Sequence, residues 1–168
     1  GGETTLFSIV HDITERKTYL RALEAEREFI ETALDTLTDH FFVIDREEGL
    51  VRWNDRVPEV TEYSEETLSS ADPSTLFREA ESERIRAAIE RVFESGSASI
   101  RADLVTRNGE EIPMEYRAKR LTDADGEATE IVGIGRNISD QLAYEAELER
   151  YKELVDNVPK PVKEGLTE

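Results

Sequence analysis

Few residues in this chain are able to do chemistry, and the absences narrow the field first. There is no cysteine, which removes disulfides, thiolate metal sites, iron–sulfur clusters and any thiol nucleophile together. His11 and His40 are the only imidazoles. Neither belongs to an H-E-x-x-H spacing, and the chain has no phosphate-cradling glycine loop and no G-x-S-x-G elbow. His11-Asp12 is not followed by the residues of a kinase phosphoacceptor site. Carboxylate pairs such as Glu110-Glu111 arise by composition alone where Asp and Glu number 39. No catalytic activity is expected. What remains is binding chemistry: an indole, a thioether and a phenol, on Trp53, Met114 and Tyr116, which could orient an aromatic ligand if buried, since an indole N–H and a phenol need polar partners there.

The elements that would position those groups can be read from periodicity. Phe41-Phe42-Val43-Ile44 and Leu50-Val51-Arg52-Trp53 are short apolar runs around Gly49 and read as a hairpin. Residues 55–80, broken by Pro58 and Pro73, read as short helices and turns, with Ser64-Glu65-Glu66 as a helix start. From Ser82 to Ser95 a helix carries Ile85, Ala88, Ile89, Val92 and Phe93 on one face and stops at Gly96. The period then changes to alternation: Ile100, Ala102 and Leu104 before Asn108-Gly109, which signals a type I′ turn, and Ile112, Met114, Tyr116 and Ala118 after it. Asp125-Gly126 turns into Ile131-Val132-Gly133-Ile134. The expected fold class is α+β: a five-stranded antiparallel sheet with helices on one face. Strand parity points Phe42, Ile44, Val51, Trp53, Ala102, Leu104, Met114, Tyr116 and Ile134 inward, with Ile89 and Phe77 opposite. Most of these serve as ordinary core; the remainder would line a cleft between sheet and helices. Asn54 is expected to bond backbone and close a turn.

An internal repeat frames that unit. Thr4 to Ile30 aligns without a gap on Thr129 to Val155, with identities at Thr4/Thr129, Ile9/Ile134, Ile13/Ile138, Tyr19/Tyr144, Leu23/Leu148, Glu24/Glu149 and Glu28/Glu153. Each copy reads as the end of a strand, a D/N-I-T/S junction and a long helix. The expected organisation is therefore residues 1–14 as the last strand and junction of a preceding repeat, 15–37 as a connecting helix, 38–139 as the domain, 140–158 as a second helix, and 159–168 as a tail or the start of a next unit. Leu20, Leu23, Ile30, Leu34 and Leu37 on the first helix, with Arg27 filling one seam position, and Tyr144, Leu148, Tyr151, Val155 and Val158 on the second, follow 3-4 spacing. That spacing marks a coiled-coil seam, so a parallel homodimer through both flanking helices is expected.

Charge limits the partners. The formal net charge is -18, and only five of the 21 basic residues are lysine. Such a field repels nucleic acid and anionic lipid, so neither nucleic acid nor direct membrane contact is expected. Acidic residues spread along the chain suit a cytoplasm of very high salt, or simply an acidic soluble protein. No run of about 18 apolar residues exists, and a cytoplasmic location is expected.

The order of elements over residues 38–139 resembles the PAS family of sensor domains. Gly49-Leu50-Val51-Arg52-Trp53-Asn54 is similar to its second strand, and Glu62-Tyr63-Ser64-Glu65-Glu66-Thr67-Leu68 to its G-Y-S-x-E-E-L stretch, with glutamate in place of glycine. Arg107-Asn108-Gly109-Glu110 matches its usual turn. Asp12-Ile13-Thr14-Glu15-Arg16-Lys17 is close to its D-I-T-E-R-K tail, and Asn137-Ile138-Ser139-Asp140 is a softened copy. The resemblance implies a sensory input module that dimerises and relays a signal through its flanking helices to neighbouring PAS-like and output domains. Asp12, Thr14, Asn137, Ile138 and Ser139 would form its signal junctions. It also bears on cofactors. The flavin-adduct branch needs a cysteine, which this chain lacks. His11 and His40 lie off the long helix where haem-binding relatives carry their ligand, and read as structural. Non-covalent flavin has no positive signal. A small aromatic or other organic molecule is the ligand class left, with Phe42, Ile44, Val51, Trp53, Phe77, Ile89, Leu104, Met114, Tyr116 and Ile134 as its candidate lining. The alternative is a ligand-free spacer and dimerisation module whose core is filled by Trp53 and Phe42.

Overall fold

A computed structural model describes residues 2–159. The tail expected at 159–168 lies outside the described residues beyond Pro159. In chain order the elements are α1 (Gly2–Thr36), β1 (His40–Asp45), β2 (Gly49–Trp53), α2 (Arg56–Thr61), α3 (Glu65–Ser70), two single-turn 3₁₀ segments (Pro73–Leu76, Glu79–Glu81), α4 (Ser82–Ser95), β3 (Ser97–Val105), β4 (Glu111–Thr122), β5 (Ala128–Asn137) and α5 (Ser139–Asp156). The five strands pair antiparallel in the order β2-β1-β5-β4-β3. The core lies between one face of this sheet and α2, α3 and α4, where Ile44, Leu50, Val57, Leu68, Leu76, Val92, Phe93, Leu104 and Ile131 pack together. This is the expected α+β architecture, with long helices at both ends.

Local chemistry sets the boundaries. Ser64 accepts a hydrogen bond from the Thr67 amide at 3.2 Å and so caps α3, satisfying a donor the first turn would leave open. Gly96 ends α4 with φ 96° and donates its amide to Val92 at 2.9 Å. The hairpin turns differ from expectation. Asn108 does not take a positive φ, whereas Gly109 does, at 85°. The Gly109 amide reaches Thr106 O at 2.9 Å and the Thr106 amide reaches Glu110 O at 2.8 Å. Three residues therefore lie between Thr106 and Glu110, the last hydrogen-bonded pair of the hairpin. A type I turn followed by a left-handed glycine fits that length, and a two-residue type I′ turn does not. Glu62, which stands where the resemblance places glycine, has φ 61° as the C-cap of α2. A side chain there costs about 1 kcal/mol against glycine.

The amino-terminal segment also departs from expectation. Residues 2–14 are not a strand but the first turns of α1, which runs unbroken to Thr36. Their repeat partners, Thr129 to Ile134, are in β5. A strand is stable only when its backbone groups find a neighbouring strand. β5 has β1 and β4 on either side, while no described strand pairs with residues 2–14, so those groups are satisfied within a helix. Asp12 and Thr14 are accordingly exposed on α1, with the Thr14 hydroxyl donating to Val10 O at 2.9 Å. Among the described residues, no helix is long and apolar enough to cross a membrane.

Candidate functional site

A cavity of about 100 Å³ lies between the sheet and the helix layer. Phe42 and Ile44 from β1, Leu50 from β2, Leu104 from β3, Tyr116 from β4 and Ile131 from β5 form its floor. Phe77, Ile85, Ala88, Ile89 and Val92 close it from the α4 side. Its lining is almost wholly apolar, and His40, Thr61 and Tyr116 are the lining residues with polar side chains.

Of the residues singled out by sequence, Phe42, Ile44, Phe77, Ile89, Leu104 and Tyr116 are brought together here. The other four are not. Met114 is 1% exposed and fills the core beside the cavity without lining it. Trp53 is half-buried against the same core, opposite Phe42 in the β-ladder. Val51 is 37% exposed and Ile134 39% exposed, both away from the cavity. Each of these last two has a specific cause. On β2, Arg52 pairs with Val43 and Leu50 with Ile44, so Val51 is the extra residue of a β-bulge. A bulge breaks the period of two, and Leu50 rather than Val51 turns inward. On β5 the inward positions are Ile131, Gly133 and Gly135, because two aromatic rings occupy the space beside the glycines. Phe42 pairs with Gly133 and Tyr116 with Gly135. A Cβ built on Gly133 would stand 2.3 Å from the Phe42 ring, and one on Gly135 2.4 Å from the Tyr116 ring. Ile134 is left on the outer face.

The rings interlock. Phe42 and Phe77 both meet Tyr116 edge-on, with centroids 5.9 and 5.5 Å apart, a geometry that stabilises each pair by about 1 kcal/mol beyond burial. Burial pushes the Tyr116 hydroxyl well above the ordinary phenol range, so it is a neutral donor. His40 sits at the α1 end of the cavity, opposite Gly135. Burial first, then the Arg56 charge, lower its pKa to about 4 against an opposing pull from Asp39, which leaves it uncharged at neutral pH. Sequence reasoning took His40 as structural and missed that it lines the cavity. Its position as the first inward residue of β1, two before Phe42, carried that signal.

The same end of the sheet holds both flanking helices. Asn54 is 3% exposed. Its amide donates to Leu34 O at 3.0 Å and Asp39 O at 2.9 Å, and its carbonyl accepts from the Phe41 amide at 3.1 Å. It thus fastens the last turn of α1 to the start of β1, bonding backbone as its position before a turn suggested. Arg136 near the end of β5 pairs with Asp39 at 3.2 Å. Ile138, 2% exposed, donates its amide to Pro113 O at 3.0 Å and accepts from Leu142 in the first turn of α5. Asn137 accepts from the Ser139 amide at 2.9 Å and the Ser139 hydroxyl at 2.6 Å. A neutral amide at Asn137 therefore holds this turn through its oxygen.

An antiparallel sheet in this order, covered on one face by short helices with a cavity between the layers, defines an α+β domain whose cavity touches the strand leading into its carboxy-terminal helix. Residues 28–138, well over half of the chain, match the family of the PAS fold, and the chain belongs to that family. The PAS domain of an HTR-like protein from Haloarcula marismortui superposes with a TM-score of 0.62 at 17% identity, covering 73% of this chain and 99% of that one. The PAS domain of a Colwellia psychrerythraea protein gives 0.61 at 19%, covering 67% and 97%. An RNA-binding Light-Oxygen-Voltage receptor gives 0.65 at 16%, covering 76% of this chain but 37% of that longer one. Identities this low speak for the fold alone. No curated protein matches the chain by sequence.

Proposed function

We propose that this domain is a sensory input module that takes a small molecule into the cavity and relays its presence through α1 and α5 to an output domain of a longer protein. The observation that carries this reading is the placement of Tyr116: its ring lines the cavity and lies on Gly135, which is three residues from Ile138, the anchor of α5. A ligand that moves the ring presses on β5 where β5 becomes the junction. The reading gives the module no catalytic step and places it in the cytoplasm.

Dimerisation through the flanking helices belongs to the same proposal. Leu20, Leu23 and Ile30 on α1, and Tyr144, Leu148, Tyr151 and Val155 on α5, are exposed large apolar residues at seam positions. Pairing each helix with its copy would cover them. The rival reading, a spacer with a closed core, draws on Met114 and on the aromatic cluster, which fill much of the space between sheet and helices.

The test is mass spectrometry and absorbance on the extract of protein purified in high salt, followed by a metabolite screen. A stoichiometric small molecule supports the sensor, and a blank extract with no hit in the screen leaves the spacer. With a ligand in hand, Ile138→Asn should loosen amide exchange in α5 and abolish its response to ligand while affinity stays within about twofold; joint loss of response and affinity would defeat the separation of site from relay.

A further inference from the structure

The cavity has a polarity of its own, and this inference rests on the sensor reading above. Thr61 is already committed, donating to Val57 O at 2.6 Å and accepting from the Tyr63 amide at 3.4 Å. Tyr116 differs. Its hydroxyl makes no hydrogen bond to any described residue, yet no buried side-chain polar atom among the described residues is left without a partner. Tyr116 is only partly buried, so its unpartnered hydroxyl is open to a water-sized molecule, and the residue lines the cavity. Among the described residues, no lysine, arginine, aspartate or glutamate lines that space, so an ion entering it would lose its hydration without compensation. Volume bounds the rest. Benzene is held in a dry apolar cavity of about 150 Å³, and here about 100 Å³ is present.

We infer that the cavity is built for a neutral molecule no larger than a six-membered ring, carrying one hydrogen-bond acceptor that the Tyr116 hydroxyl meets. His40, uncharged and on the same lining, adds polarity at the α1 end without adding charge.

Benzene and pyridine are isosteric rings that differ by one acceptor, so they test the inference directly. Both are titrated into the whole chain at mildly alkaline pH, where pyridine is neutral, and followed by the Gly133 and Gly135 amide resonances. The ratio of benzene to pyridine dissociation constants should fall about five- to tenfold in Tyr116→Phe relative to wild type, the worth of one hydrogen bond. This variant keeps the ring that covers Gly135. If it fails to fold, the wild-type Tyr116 Cζ resonance decides instead, shifting with pyridine and staying put with benzene. Acetate should not compete with either. If benzene enters and the ratio and the Cζ response show no preference, the acceptor inference is overturned and the sensor reading survives. If neither ring enters, this inference falls, and the extract and metabolite screen decide the sensor reading.

Discussion

Asn54 is the residue on which the mounting of α1 depends, and its removal can be worked through in numbers. Over residues 2–33 the described side chains of α1 are exposed, so little packing fixes the direction of this helix. One buried amide side chain bonds Leu34 O in the helix's last turn at 3.0 Å and the β1 start through Asp39 O and the Phe41 amide at 2.9 and 3.1 Å, beside a bond from the Asp55 amide to Asp35 at 3.3 Å. In Asn54→Ala the Phe41 amide and the Asp39 carbonyl lose a partner in a half-buried setting, while Leu34 O, at a helix end, can take water. Each lost bond is worth about 1 kcal/mol net, so a loss of about 2 to 3 kcal/mol is expected. Urea unfolding with an unchanged slope measures it. Hydrogen exchange gives the second reading: amides of the last turns of α1 should lose protection in the variant even under conditions where the sheet stays closed. Asn54→Asp tests the chemistry, because it keeps an acceptor for Phe41 but turns an oxygen toward two carbonyls; it should be no better than alanine. A destabilisation under about 0.5 kcal/mol, or a full loss with α1 exchange unmoved, would refute the claim that this side chain mounts the helix.

Two further expectations follow from the cavity. Gly135→Ala places a methyl group 2.4 Å from a ring carbon of Tyr116 and should cost about 1 to 3 kcal/mol by overpacking; Tyr116→Ala in the same chain should recover part of that cost, and strict additivity of the two would show that they do not touch. His40 has a pKa of about 4 in the fold against an ordinary 6.5, so between those values the unfolded chain binds the extra proton and stability is lost as pH falls. The loss amounts to about 3 kcal/mol across the window, and His40→Gln should flatten the pH dependence of unfolding there; parallel curves for the two proteins would remove burial of a neutral imidazole as the cause.

Hydrophobic alternation was enough to find the strands, the α4 face and six of the cavity residues, because a half-buried strand repeats every second residue. It failed where the backbone itself breaks that rule. Nothing in Leu50-Val51-Arg52-Trp53 announces a bulge, since either aliphatic residue satisfies the pattern, and only the β1 register decides which turns inward. In Ile131-Val132-Gly133-Ile134-Gly135 the apolar residues compete for one face, and the ring across the ladder settles the contest: Phe42 and Tyr116 need the glycine positions. An aromatic residue on one strand with glycine on its neighbour was therefore the readable signal, and placing Ile134 inward by strand parity concealed it. The amino-terminal segment shows a different limit. Its similarity to β5 and α5 is real in the sequence, but whether such a segment forms a strand depends on a sheet edge to receive it, which is a property of neighbours and not of the segment.

The joint between cavity and helices rests on few interactions, and their magnitudes say which of them matter. The Arg136–Asp39 pair links β5 to the α1–β1 connection, but its guanidinium is largely exposed, and such pairs contribute at most about 1 kcal/mol and less in strong salt. In the proposed relay, buried contacts would carry the coupling instead. Asn54 fastens α1 to β1, Ile138 fastens α5 to β4, and Tyr116 on Gly135, with His40 across from that glycine, connects both to the cavity. These contacts do not depend on surface charge, so salt that screens the acidic surface would leave the proposed relay intact. Coupling of this kind is reciprocal. If occupancy of the cavity shifts α5 by a given free energy, clamping α5 in the shifted position must tighten ligand binding by the same amount. In the proposed dimer, a disulfide engineered between the two copies of α5 should therefore change ligand affinity without touching a cavity residue, and a cavity indifferent to such a clamp would be a cavity with no signalling role.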